Sequence, residues 1–203
     1  MDPISHFIIG EGLATLGGQP FTWNSPIYLA SGLGSVLPDL DIVFQLKGDI
    51  AYLRQHRGFS HSLLGNLLTG IILGGLLKLF FAQASLLQLV LWSTIGALSH
   101  TMFDVCNSYG AQLLAPWSKR KFTLNLVQIF DPVLIAIFSL MLWIGHNDTT
   151  RPAYMAALIP LYLGTRWLMR EHLRRRVKKH FGLKAPSRLV LMPSVLGLFN
   201  WDY

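Results

Sequence analysis

Seven imidazole and carboxylate residues stand where apolar runs of this chain begin or end: His6, Asp39, Asp41, His56, His61, His100 and Asp104. Neutral imidazole and carboxylate together suit a divalent ion such as zinc, manganese or iron, and such a site needs no thiolate. His100 and Asp104 lie four residues apart in "HTMFD", so a helix would place them on one face, one turn apart. Asp39 and Asp41 lie two apart in "LPDLD". Pro38 disfavours helix at Leu37 and can start a new turn there. Residues 56–62 read "HRGFSHS", which sets two imidazoles, a guanidinium and two hydroxyls at the mouth of a long apolar run. The set exceeds the four ligands of one tetrahedral ion. Surplus members would orient the true ligands, or two ions would lie about 3.5–4 Å apart, as in many phosphodiester-cleaving sites.

Neighbouring polar residues invite plainer readings. Asp131 precedes Pro132 and reads first as a helix N-cap, second as a ligand. Ser60 is expected to cap the helix that starts near His61, and Ser62 to do no more than donate a hydrogen bond. Arg57 is either a topology charge or a grip for an anionic substrate oxygen, which a guanidinium can hold with two donors. Cys106 is the lone cysteine. It excludes an internal disulfide, offers no zinc-thiolate pattern, and reads as a small buried hydrophobe. His146, His172 and His180 lie away from the cluster and read as solvated.

The elements that must position these groups are apolar. The chain is 52% hydrophobic and 13% charged, with a mean hydropathy of +0.43; a soluble domain carries about 25% charged residues. Leu63–Phe81, Leu86–Val105 and the shorter Phe130–Gly145 approach the about 20 residues that a spanning helix needs. Ala153–Met169 is a fourth candidate. Two shorter glycine-rich stretches, Phe7–Leu16 and Ile27–Leu37, read as a re-entrant hairpin or as helices packed against the others, since glycine permits close approach. Lys78 can snorkel from a helix end. The N-terminus lacks the pattern of a removable signal peptide.

Basic residues then give an orientation. They gather in 46–62, in "WSKRK" at 117–121 and in the run 166–180, whereas "FAQAS" at 81–85 is uncharged and "HNDTT" at 146–150 carries only Asp148. Crossing at each apolar run puts the basic stretches on one face, the cytoplasmic one. Every candidate ligand falls at that same level. The 166–180 run beside an apolar helix reads as an anchor to anionic lipid rather than a nucleic-acid contact. The sequence therefore predicts an all-α, polytopic membrane helical bundle over residues 1–170, with short N-terminal helices and a metal site at the cytoplasmic helix ends. Residues 171–203 form a basic juxtamembrane segment and tail.

The motifs resemble the YdjM-like family of LexA-regulated, membrane-bound, metal-dependent hydrolases. The likeness rests on His6 in "SHFIIG", Asp39 and Asp41 in "LPDLD", "HRGFSHS", and His100 with Asp104 in "HTMFD". It continues in "NSYGAQLLAPWSKRKFTLNLVQIFDP" and covers roughly residues 4–135. It implies a multi-pass, metal-dependent hydrolase of the inner (plasma) membrane, with further chain beyond Tyr203. From the residues, the favoured chemistry is hydrolysis of a phosphoester or polar-headed lipid by water activated on one or two divalent ions, zinc first. Asp39, Asp41, His61, His100 and Asp104 would be core ligands, completed by His6 and His56. Asp41 or His56 would act as general base, and Arg57 would offset phosphoryl charge. Membrane lipid is the expected partner. Two rivals are a purely structural metal site and a metal transporter. Transport wants ligands near the bilayer midplane, whereas these gather at one face.

Overall fold

The computed structural model describes residues 1–48, 57–182, 189–194, 197 and 199–203. Their helices are α1 (Pro3–Ala14), α2 (Pro26–Val36), α3 (Leu63–Phe80), α4 (Leu86–Cys106), α5 (Pro132–Gly145), α6 (Arg151–Ala156) and α7 (Leu158–His180). A 3-10 segment, Leu37–Lys47, follows α2, and one 3-10 turn, Phe59–His61, precedes α3. The helical expectation holds, apart from a short antiparallel ribbon of β1 (Met192–Pro193) and β2 (Trp201–Asp202) near the C-terminus. The expected residues His56 and Arg54 lie outside the described residues.

Three of the helices begin where a local side-chain hydrogen bond replaces a missing intrahelical partner. The Asp2 carboxylate accepts from Ser5 N–H at 3.0 Å to cap α1. Ser62 Oγ accepts from Gly65 N–H at 3.0 Å to cap α3, and Asp131 accepts from Val133 and Leu134 N–H, both at 3.2 Å, to cap α5. Proline occupies the first turn of α1, α2 and α5, where its missing N–H is harmless.

Among the described residues, α3 and α4 are long and apolar enough to cross a membrane. Much of their apolar surface faces outward: Ile72 is 62% and Leu79 77% exposed. In a water-soluble protein such a stripe would need a covering partner. Helix α5 is apolar but only 14 residues long. The expected span Ala153–Met169 is a correction, because the chain breaks at Ala157 between α6 and α7. Pro160 supplies the reason. It has no N–H for the Ala156 carbonyl, and its ring crowds that oxygen. Helix α7 then carries the chain into the basic stretch.

Close approach of α2 and α4 sets the centre of the molecule. A Cβ on Gly34 would lie 2.3 Å from the Ser93 carbonyl oxygen, and one on Gly96 would lie 2.1 Å from that of Ser31. Only glycine permits this reciprocal contact. One apolar cluster (Ile9, Phe103, Leu134, Phe138 and Met141) ties α1, α4 and α5 together. Another (Ala30, Leu73, Leu77 and Leu89) ties α2, α3 and α4. The outcome is a set of helices whose ends, at the start of α1, α3 and α5 and the finish of α2 and α4, meet at one level.

Candidate metal centre

The meeting point of those ends holds the residues singled out by their spacing. His6 comes from the first turns of α1, Asp39 from the 3-10 segment after α2, and His61 from the turn before α3. His100 and Asp104 come from the last turns of α4. His6, His61, His100 and Asp104 are fully buried, and only Asp39 reaches a surface. His6 and His100 stack with ring centroids 3.7 Å apart. Two overlapping groups, His6–Asp39–His100 and His61–His100–Asp104, could hold a metal ion.

The hydrogen-bond network fixes which ring nitrogens are bare. His100 Nδ1 lies 2.7 Å from the Ser35 carbonyl oxygen. A carbonyl only accepts, so Nδ1 carries the proton and Nε2 is a lone pair. Ser60 Oγ donates to Asp41 Oδ2 at 3.1 Å. With its single proton committed, Ser60 Oγ accepts from His61 Nδ1 at 2.9 Å, which leaves His61 Nε2 bare as well. Those two bare nitrogens face each other at 2.9 Å. Asp39 Oδ1 lies 3.4 Å from both. Asp104 Oδ2 lies 3.5 Å from His61 Nε2 and 3.7 Å from His100 Nε2, and it accepts no hydrogen bond.

In these tautomers the two imidazole nitrogens turn lone pairs toward each other and toward two carboxylate oxygens. Burial pushes the His61 imidazole down, so a second proton on that ring is disfavoured. Buried acceptors crowded together are costly, and a cation between them would offset that cost. Ligand bonds of about 2.0–2.1 Å, those of a small divalent ion, give a tetrahedron with edges of about 3.3 Å. The five separations, 2.9–3.7 Å, bracket that value, and the residues fall into two overlapping three-residue groups that could each hold such an ion.

The remaining residues surround this cage. Burial pushes the His6 imidazole down to about 3. Its Nε2 accepts from the Met1 ammonium at 2.9 Å, and that ammonium also donates to Asp104 Oδ1. Asp41 was expected among the ligands or as the general base. Its described contacts lie behind His61, where its carboxylate accepts from Arg57 N–H and from Ser60, both at 3.1 Å. It sits 3.7 Å from His61 Nδ1, the side turned away from the cage. Arg57 has φ +62°, an unusual left-handed conformation for a non-glycine residue. The Asp41 contact and the bond from Gln112 N–H to the Arg57 carbonyl, 3.2 Å, hold it there. That twist brings Arg57 Nε to 3.3 Å from Asp104 Oδ2 and its guanidinium to 4.5 Å from the Tyr109 ring centroid.

Two serines exchange their expected roles, since Ser62 caps α3 and Ser60 orients His61. Asp131 is the cap it was read as, and its carboxylate also accepts from Tyr162 OH at 2.8 Å. His146, His172 and His180 are exposed and far from the cage. Asn107 was missed. Fully buried at the end of α4, it donates to Asp104 Oδ1 at 2.9 Å and accepts from Arg57 Nη1 at 3.4 Å. Its signal was available: it follows Asp104 by three residues, a same-face helical spacing.

A cavity of about 370 Å³ opens onto the cage, lined by Met1, Asp39, Leu40 and Arg57 among others. It sets one candidate ligand, Asp39, beside one guanidinium, that of Arg57.

Comparison with known proteins places this constellation in context. A family profile described as "YdjM inner membrane protein" matches residues 1–173. A relative from Bacillus subtilis (strain 168), titled uncharacterized protein YfhP, is 32% identical over 189 residues, covering 87% of this chain and 57% of its own length. The chain therefore spans somewhat over half the length of that curated relative. No solved structure matches it.

Proposed function

The chain belongs to the YdjM inner membrane protein family, and from that premise we propose that it is a multi-pass, metal-dependent hydrolase of phosphoesters or polar-headed lipids, its centre facing the cytoplasm. The observation that carries this reading is the convergence of His61 Nε2, His100 Nε2, Asp39 Oδ1 and Asp104 Oδ2, each 2.9–3.7 Å from both imidazole nitrogens or from the other one, beside a cavity that Arg57 helps to line. The orientation rests on the exposed Lys119, Arg120 and Lys121 next to the exposed Trp117, in the loop that joins the site ends of α4 and α5.

The cage would hold one ion, zinc first and manganese or iron next, and the overlapping group of His6, Asp39 and His100 would be the place for a second. When bound, the ion would lower the pKa of water toward neutrality and polarise a phosphoryl oxygen. The chain's own residues do the rest. Ser35 and Ser60 hold the two imidazoles in the ligating tautomer. Asp41 orients His61 through Ser60. Asp39, at the cavity wall, is placed to accept a proton from an entering water. Arg57 meets a phosphoryl oxygen in the same cavity, and Asn107 steadies Arg57 and Asp104 together.

A second reading has one observation in its favour. The buried group of His61, His100 and Asp104 offers three ligands that a closed structural ion would use. Turnover decides between the two. Chain reconstituted in vesicles and loaded with zinc or manganese is expected to release phosphate from alkyl phosphates or phospholipids, and His61→Ala and Asp104→Ala are expected to release none. Bound metal with no turnover across that panel would leave the structural ion standing.

A further inference from the structure

A cavity of about 850 Å³ lies beside the centre, within the size range of small-molecule sites. Its walls include Tyr109, Val127, Ile129, Phe130, Met192 and Pro193. Gln128 also borders it, but its amide donates to the Ser194 and Gly197 carbonyls, so its donors are spent on holding the C-terminal ribbon as the far wall. Arg166 supports that wall: its guanidinium lies 4.7 Å from the Trp201 ring centroid, and its Nε donates to the Leu126 carbonyl at 2.8 Å.

Position gives this space a meaning. Ser108 and Tyr109 directly follow α4, and Pro132 opens α5, so the cavity sits where two apolar helices end. Tyr109 belongs to its wall, and the same ring carries the Arg57 guanidinium. Arg57 belongs in turn to the wall of the smaller cavity at the metal cage. A cationic, metal-facing compartment and an apolar one thus share the Arg57–Tyr109 pair. A molecule reaching past this pair into both would need an anionic end and an apolar remainder.

We propose that the larger cavity receives the hydrocarbon tail of an amphiphilic phosphoester whose head lies at Arg57 and the cage, so that this wall of the C-terminal ribbon selects long-chain substrates. The inference rests on the hydrolase reading for its head-group half and on the cavity alone for its tail half. The full chain in phosphatidylcholine vesicles is photolabelled with n-hexadecyl phosphate carrying a terminal diazirine. The expected label falls on residues 127–130 and 192–193, and excess unlabelled n-hexadecyl phosphate competes it away while inorganic phosphate does not. Ile129→Trp, or Met192→Trp should the first fail to fold, is expected to reduce labelling by about tenfold, equivalent to about 1.4 kcal/mol of binding, with metal content unchanged. Label spread over the outward faces of α3 and α4, or unaffected by both variants, overturns the proposal. The two halves fail separately. Labelling in the cavity without phosphate release keeps the cavity and removes the hydrolase. Equal release from methyl phosphate and n-hexadecyl phosphate, with the cavity unlabelled, does the reverse.

Discussion

The two ends of the helix bundle satisfy their polar groups by opposite means. At the end away from the cage, Lys78 and Asp148 are served by near neighbours in the chain. Lys78 Nζ donates to the Ala82 and Ala84 carbonyls at 2.6 and 2.8 Å. Asp148 accepts from Thr150 and Arg151 N–H just after it. At the cage end, partners come from distant parts of the chain: Ser35 for His100, Asp104 for the Met1 ammonium, Asn107 for Arg57. Even so, among the described residues His6 Nδ1 has no hydrogen-bond partner, and Asp104 Oδ2 has the ion pair with Arg57 at 3.3 Å but no hydrogen bond. The far end holds no such crowd of ligating groups among the described residues, whereas the cage end gathers imidazoles and carboxylates where a divalent cation would fit.

The sharpest way to break this contrast is to remove a cage carboxylate. Asp104→Ala strands two bare imidazole nitrogens and the Arg57 charge. It is expected to abolish metal retention and to destabilise by about 3–5 kcal/mol, the loss seen when one partner of a buried charge pair is deleted. Metal analysis and thermal unfolding in detergent check both effects.

A purely steric change comes next. Gly96→Val would drive a side chain into the Ser31 carbonyl, 2.1 Å from the new Cβ. It is expected to destabilise by about 2–3 kcal/mol through overpacking. Since the same contact sets the Ser35 carbonyl opposite His100, metal affinity should fall with stability rather than independently of it.

Acid should act on one end alone. Burial holds His6 at about 3 and pushes His61 below the ordinary 6.5. Below pH 6.5 the unfolded chain binds protons that the folded chain does not, so stability rises with pH in this window and is lost as pH falls through it. Protons also compete for the ligating nitrogens. Acidification from 7 toward 5 is expected to lower the unfolding temperature and release the ion together, read by a metal indicator during the titration. Lys78→Ala is the small-effect control at the far end. It should change stability by no more than about 0.5 kcal/mol, as surface substitutions do, and leave metal content and acid response intact.

Much of the scaffold was legible because its signals are local. Leu63 and Leu86 start α3 and α4 as expected, each directly after a serine, and the i, i+4 pair of His100 and Asp104 falls on one helix face. What escaped depends on tertiary context. The Ser35 carbonyl that fixes the His100 tautomer has no sequence signature. Ser60 and Ser62 look alike in "FSHS" until Asp41 folds back to claim one of them. The break at Ala157 was hidden because Pro160 sits in an otherwise apolar run. Asp41 looked equivalent to Asp39 two residues away, yet the 3-10 segment turns one carboxylate toward the cage and the other behind His61.

The most direct test of a cation-completed cage is X-ray absorption on the purified, metal-loaded chain, with chelator-treated chain followed by thermal unfolding in parallel. The account predicts an ion with mixed imidazole nitrogen and carboxylate oxygen ligands at about 2.0–2.1 Å and no sulfur, and a clear fall in unfolding temperature once the ion is stripped. A chain that retains no ion, or that unfolds at the same temperature with and without one, would contradict it.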